Sequence, residues 1–125
     1  MRGAQVLTLC AAVLFGAAAS TSAAAQGDAE QGCDGSTVEM VECLGRKAAQ
    51  WDKRLNAAYQ KLLKLVQGKQ REQLRTAQRS WVQYRDANCL YWALGEGTIA
   101  RLESADCNYR MTKERAEELE GATER

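Results

Sequence analysis

From Val41 to Leu65 the apolar side chains recur as Val41, Leu44, Ala48, Trp51, Leu55, Ala58, Leu62 and Leu65, with steps alternating between three and four. A half-buried strand needs a step of two, so only a helix places these residues on one face. The stripe runs for more than three heptads, the pattern of a helix laid against other helices. The chain contains no proline, so long helices go uninterrupted. Ser36-Thr37-Val38-Glu39 fits the capping-box pattern and puts the helix start at Ser36. Gly68 is the expected stop.

A second stripe follows at Leu74, Ala77, Trp81 and Tyr84 and reaches Asn88 where an apolar residue is due. Gly95-Glu96-Gly97 breaks that helix, and Thr98 is placed to cap a third with Ile99, Leu102, Tyr109, Ala116 and Leu119 facing inward. Asp106 falls on this last stripe. No alternating strand pattern occurs. The expected fold is all-α, a small antiparallel helical hairpin bundle of about three helices.

The N-terminus reads as an export signal. Arg2 supplies the charge, Val6 to Ala19 is apolar or small apart from Thr8, and Ala23-Ala24-Ala25 offers a small-x-small cleavage site. Cleavage after Ala25 would leave a flexible leader over 26–35 and a helical domain over 36–120. The apolar stretch is short for a membrane span, so no stable anchor is expected after cleavage. Cys10 follows Leu9, where lipoprotein processing wants a small residue, so lipid attachment is not expected. These features predict a periplasmic or secreted protein.

The mature segment keeps Cys33, Cys43, Cys89 and Cys107. Four cysteines in a small exported domain read as two disulfides, with three possible connectivities. In a hairpin centred near Gly97, Cys89 and Cys107 lie at comparable distances from the turn and can face each other. Cys33 can fold back along the first helix to Cys43. Cys33–Cys43 with Cys89–Cys107 is therefore preferred. Without histidine or a close C-x-x-C pair, neither a metal site nor a redox-active pair is expected, and no cofactor is implied.

Charge is uneven. Residues 26–45 hold five acids and no base, whereas residues 46–86 hold eleven Lys/Arg against Asp52, Glu72 and Asp86. In an exported protein, bases spread around helical faces read as a solvated surface rather than a nucleic-acid site.

The residue order is now specific. Cys43 precedes Asp52-x-x-Leu55-Asn56-x-x-Tyr59, then comes Leu74-Arg75-x-Ala77-Gln78-Arg79-x-Trp81-x-x-Tyr84-Arg85-Asp86-x-x-Cys89. Gly97-Thr98, Cys107 and Met111-Thr112-x-x-Arg115-x-x-x-Leu119 follow. Across about residues 33–119 this order resembles the lysozyme inhibitor LprI-like family of bacterial envelope proteins. The resemblance implies an exported binding protein that inhibits lysozyme, a c-type enzyme being the candidate target, by direct contact. An envelope structural or adaptor module is the alternative, with another envelope or host protein or anionic wall polymer as partner.

Trp51, Tyr59, Trp81 and Tyr84 lie on or beside the stripes, so core packing is their expected role. Arg75 and Arg79, four apart, share a helix face, as do Asp52 and Asn56. Asp52, Asn56 and Gln78 are expected to satisfy Arg75, Arg79 or Arg85 between helices. Asp86 directly follows Arg85 and is expected to meet Arg79 or an arginine on another helix instead. A functional role for the same arginines is to hold an anionic ligand or a partner's carboxylates. Lysozyme cuts between two essential acids, to which an inhibitor can present a basic group, and Arg85 is the first choice among arginines reaching outward. The acidic Asp28, Glu30 and Asp34 are further partner-binding candidates, since animal lysozymes are generally cationic. Catalysis is not expected. The thiols are tied up, no serine stands near a credible base, and Asp52 and Asp86 sit among bases that keep them ionised.

Overall fold

A computed structural model describes residues 32–125. The expected signal segment and cleavage site, Asp28 and Glu30 lie outside the described residues. Three helices follow in order: α1 (Thr37–Leu65), α2 (Gly68–Ala93) and α3 (Ile99–Ala122).

The capping box forms as its sequence predicts. The Glu39 backbone N–H donates to Ser36 Oγ at 3.3 Å, and the Ser36 backbone N–H donates to Glu39 Oε2 at 2.8 Å. Both groups would otherwise be left unsatisfied at the helix start. The Ser36 hydroxyl also donates to Glu39 Oε2 at 2.7 Å, and this bond, followed by the backbone one, holds the Glu39 carboxyl below its ordinary pKa. Downstream, Leu44, Trp51, Leu55 and Ala58 are buried, but Leu65 is exposed and Leu63 is buried in its place. A strict seven-residue stripe drifts about 20° per heptad on a straight helix. That drift is too small to exchange Leu65 for Leu63, which lies about 160° round the helix from it, and Leu62 of the expected stripe still packs against the core.

Gly68 does not stop α1. The helix ends at Leu65, Val66 and Gln67 adopt extended backbone, and Gly68 opens α2 at a φ of 54°. The second reversal is built on Gly97, at a φ of 75°, a conformation that a side chain would strain. Thr98 holds the N-cap position of α3, but its side chain makes no capping bond.

The helices run up, down, up, and α3 packs along both of the others, whereas α1 and α2 touch each other far less. Contacts climb α1 and α3 together: Lys47 Nζ lies 5.6 Å over the Tyr109 ring, Lys113 Nζ lies 5.4 Å over Trp51, and Arg54 pairs with Glu120. α1 and α3 are therefore parallel neighbours, with α2 antiparallel to both. Trp51, Leu55 and Ala58 meet Ala116 and Leu119 in the core, flanked by Tyr59, Leu62, Leu74, Trp81 and Tyr109. Ala116 is wholly buried, and its small size lets α1 and α3 approach closely. Ile99, expected inward, is exposed, and α3 instead buries Ala100, Cys107 and Thr112.

Both preferred disulfides are present. Cys33 and Cys43 have Cα atoms 5.7 Å apart, and Cys89 and Cys107 5.5 Å. The first ties residues before α1 to its second turn, and the second clamps α2 to α3. Each closes a short loop and contributes roughly 3 kcal/mol in the chain-entropy model.

Candidate functional site

The motif of α2 turns inward along Arg71, Leu74, Gln78, Trp81, Arg85 and Asn88, with Cys89 beside them; all are buried or half-buried. This stripe is rotated from the expected one. Ala77 is exposed, and Tyr84 is 62% exposed rather than part of the core. Leu74 and Trp81 belong to both stripes, so neither residue could reveal the rotation.

Two polar braces replace the missing apolar residues. Gln78 is buried, and its Oε1 accepts from Arg115 Nε at 3.0 Å. Arg115 also donates through Nη1 to Glu118 Oε2 at 2.7 Å. The expected partners of Gln78 were Arg75, Arg79 or Arg85; its actual partner lies on α3. The four-residue step from Arg115 to Leu119, which is buried in the core, was the available signal that Arg115 also faces inward.

Arg85 makes the second brace. Its Nε and Nη2 donate to Asp86 Oδ1 at 3.0 and 2.8 Å. Its Nη1 lies 4.0 Å from Asp52 Oδ1, and its guanidinium stands 5.1 Å over the Trp81 ring. Asn56 Nδ2 donates to the other Asp52 oxygen at 3.0 Å. Asp86 thus meets the adjacent Arg85 after all, because a long arginine bends back across the divergence of neighbouring Cβ atoms. The expectation that Arg85 leads outward is also corrected, for its side chain is only 17% exposed. Asp52 joins the brace as expected, and it links α1 to α2.

Arg75 and Arg79 are the exposed arginines of the motif. Arg79 Nη2 donates to Thr76 Oγ1 at 3.2 Å on its own helix. Tyr59 is half-buried against the core. Asp34 is exposed at a hollow of about 390 Å³ beside the first disulfide, shared with Glu39, Glu42 and Arg46.

Elsewhere, Arg54 donates to both Glu120 oxygens at 2.9 and 2.7 Å and stacks 3.8 Å over Trp51. The hydrogen bond raises the Arg54 pKa and lowers that of Glu120. No group of His, Cys, Asp and Glu among the described residues could hold a metal ion, and no helix among them is long and apolar enough to cross a membrane.

Fold and motif together define a class: a disulfide-stapled three-helix bundle whose distinctive charged residues brace its helices. Within that class the chain belongs to the lysozyme inhibitor LprI family, whose model matches residues 28–119. No curated protein and no solved structure matches the chain.

Proposed function

We propose that this chain is an exported lysozyme inhibitor, periplasmic or secreted, acting by direct protein–protein contact and not as an enzyme. The family match over residues 28–119 carries the reading. Two disulfides suit an oxidising compartment outside the cytoplasm. A stapled bundle also presents a preformed surface, which limits the ordering entropy lost on binding. Exposed Arg75 and Arg79 are candidate contacts for carboxylates on the partner's surface, while Asp28, Glu30 and Asp34 steer a cationic partner. Arg85 supports that surface by bracing Trp81 and Asp52.

The test is lysis of bacterial cell walls by a cationic c-type lysozyme, with the mature protein from Gln26 added. Lysis slows, and a complex forms whose association weakens with salt. Neutralising Asp28, Glu30 and Asp34 mainly lowers the on-rate. A folded protein that forms no complex at micromolar concentration defeats the reading.

A second reading, an adaptor for anionic wall polymer, draws on Arg75 and Arg79 lying exposed on one face of α2. Binding to purified wall with lysozyme activity undiminished would select it.

A further inference from the structure

α2 carries a second apolar stripe that the fold leaves unused. Tyr84, Ala87, Tyr91 and Leu94 follow at steps of three, four and three, so they share one helix face. All are exposed, Tyr91 by 70% and Leu94 by 76%. Leu90 and Ile99 are more than half exposed around the same end of the hairpin. Trp92 is also open to solvent, its ring 5.2 Å from that of Tyr91 and edge-on to it. From Ala87 to Gly95 no residue is charged, in a chain in which 26% are.

Taking about 200 Å² for a fully exposed large side chain, the six large residues present roughly 700 Å² to solvent. Leu90 and Trp92 flank Tyr91 on either side, so the shared face of Tyr84, Tyr91 and Leu94 presents roughly 400 Å² of this, the size of the largest, often functional, patch on a typical monomer. The patch is also held in place at its root. Cys89–Cys107 clamps the hairpin, and Ser104 Oγ donates to the Cys89 carbonyl at 3.0 Å.

Building on the lysozyme reading above, we infer that this end of the α2–α3 hairpin is the anchor that docks into the enzyme's glycan cleft. Ligand clefts are concave and mostly apolar, with a few placed polar groups, and a glycosidase cleft holds a carboxylate pair. An exposed apolar end rich in Tyr and Trp suits such a cleft, and these residue types dominate binding hot spots. Its charges complement the target. Exposed Arg101, on the first turn of α3, suits the carboxylates, while exposed Glu96 and Glu103 suit the surrounding cationic surface. Glu96 in the turn argues against insertion into a bilayer, where a carboxylate is costly.

The experiment measures binding of the mature protein to c-type lysozyme, with wild type beside the double variant Tyr91→Ser/Leu94→Ser. A separate variant, Tyr84→Ser, tests the same stripe. All three positions are exposed, so the variants should melt with the wild type. The double variant raises Kd at least 30-fold and Tyr84→Ser at least threefold. Leu65→Ser, exposed at the C-terminal end of α1 next to the start of α2, and so about the 39 Å length of α2 away from the anchor, leaves Kd unchanged. An N-acetylglucosamine oligomer competes with the wild-type complex. If wild type binds and the double variant binds within threefold of it, the anchor is wrong and the inhibitor reading stands. If wild type binds but the oligomer does not compete, the cleft is not its seat and the inference fails. Loss of self-association or vesicle binding in the double variant, with lysozyme binding intact, also overturns it. No wild-type complex overturns both.

Discussion

Gln78 Oε1 accepts a 3.0 Å hydrogen bond from Arg115 Nε, joining α2 to α3 from the inside of the bundle. A neutral amide thus sits where the helix pattern calls for an apolar residue. It satisfies a guanidinium that the fold has largely removed from water. The bond matters less for its own strength than for what its loss leaves behind, a half-buried cation with one fewer partner.

Gln78→Leu should therefore destabilise the protein by about 1–3 kcal/mol despite adding apolar volume. Gln78→Glu should retain most of the stability, because a carboxylate can take the same bond from Arg115. Urea denaturation of the three proteins decides the matter. Equal midpoints for wild type and Gln78→Leu would show that the bond contributes nothing.

Trp81 and Tyr84 separate the observed packing of α2 from the expected one. Trp81→Ala should lose about 3 kcal/mol, since the indole packs against the core. Tyr84→Ala should change stability by no more than about 0.5 kcal/mol. Comparable losses at both positions would restore the original stripe.

Ala116 is wholly buried between α1 and α3, against Trp51, Leu55 and Ala58. Ala116→Leu should cost about 1–3 kcal/mol through overpacking. Thermal melting of the variant measures this, and an unchanged Tm would mean that the helices can separate there without penalty.

The Arg54–Glu120 pair gives a pH dependence with a definite sign. The folded Glu120 carboxyl has a pKa below its ordinary value of 4.5. Its contribution is present above that value and fades as pH falls through the lower, folded pKa. Both side chains are partly exposed, so the contribution is at most about 1 kcal/mol. Glu120→Gln should be slightly less stable than wild type at pH 7, and the two should converge in strong acid, below the folded pKa of Glu120. A difference that persists in strong acid would assign the effect to packing.

Unreduced peptide mapping should recover Cys33 linked to Cys43 and Cys89 linked to Cys107. Reduction should lower the melting temperature sharply, because two short loops lose their constraint. A peptide joining Cys33 or Cys43 to Cys89 or Cys107 would contradict the structure.

Much of the architecture was legible in the residues alone. The three-and-four spacing of α1 required a helix, Ser36 and Glu39 marked its start, and Gly97 marked the reversal before α3. The hairpin also brought Cys89 opposite Cys107, so the pairing followed from distance to the turn. These are local or near-local properties, set by backbone geometry and short chain segments.

The orientation of α2 was not legible, because Leu74, Trp81 and Asn88 fit two stripes that differ by only about 40° of rotation. Ala77 and Tyr84 complete one stripe, Gln78 and Arg85 the other, and apolar pattern alone favours the first. Tertiary structure selected the second. Arg115 on α3 offers Gln78 a partner, Asp52 on α1 approaches Arg85, and Cys107 draws Cys89 inward. Each contact joins residues distant in sequence, so no window on α2 contains it. The same rotation turns Tyr84, Tyr91 and Leu94 outward. The sequence by itself thus determined three stapled helices, while long-range polar pairing decided which face of α2 was buried and which remained open.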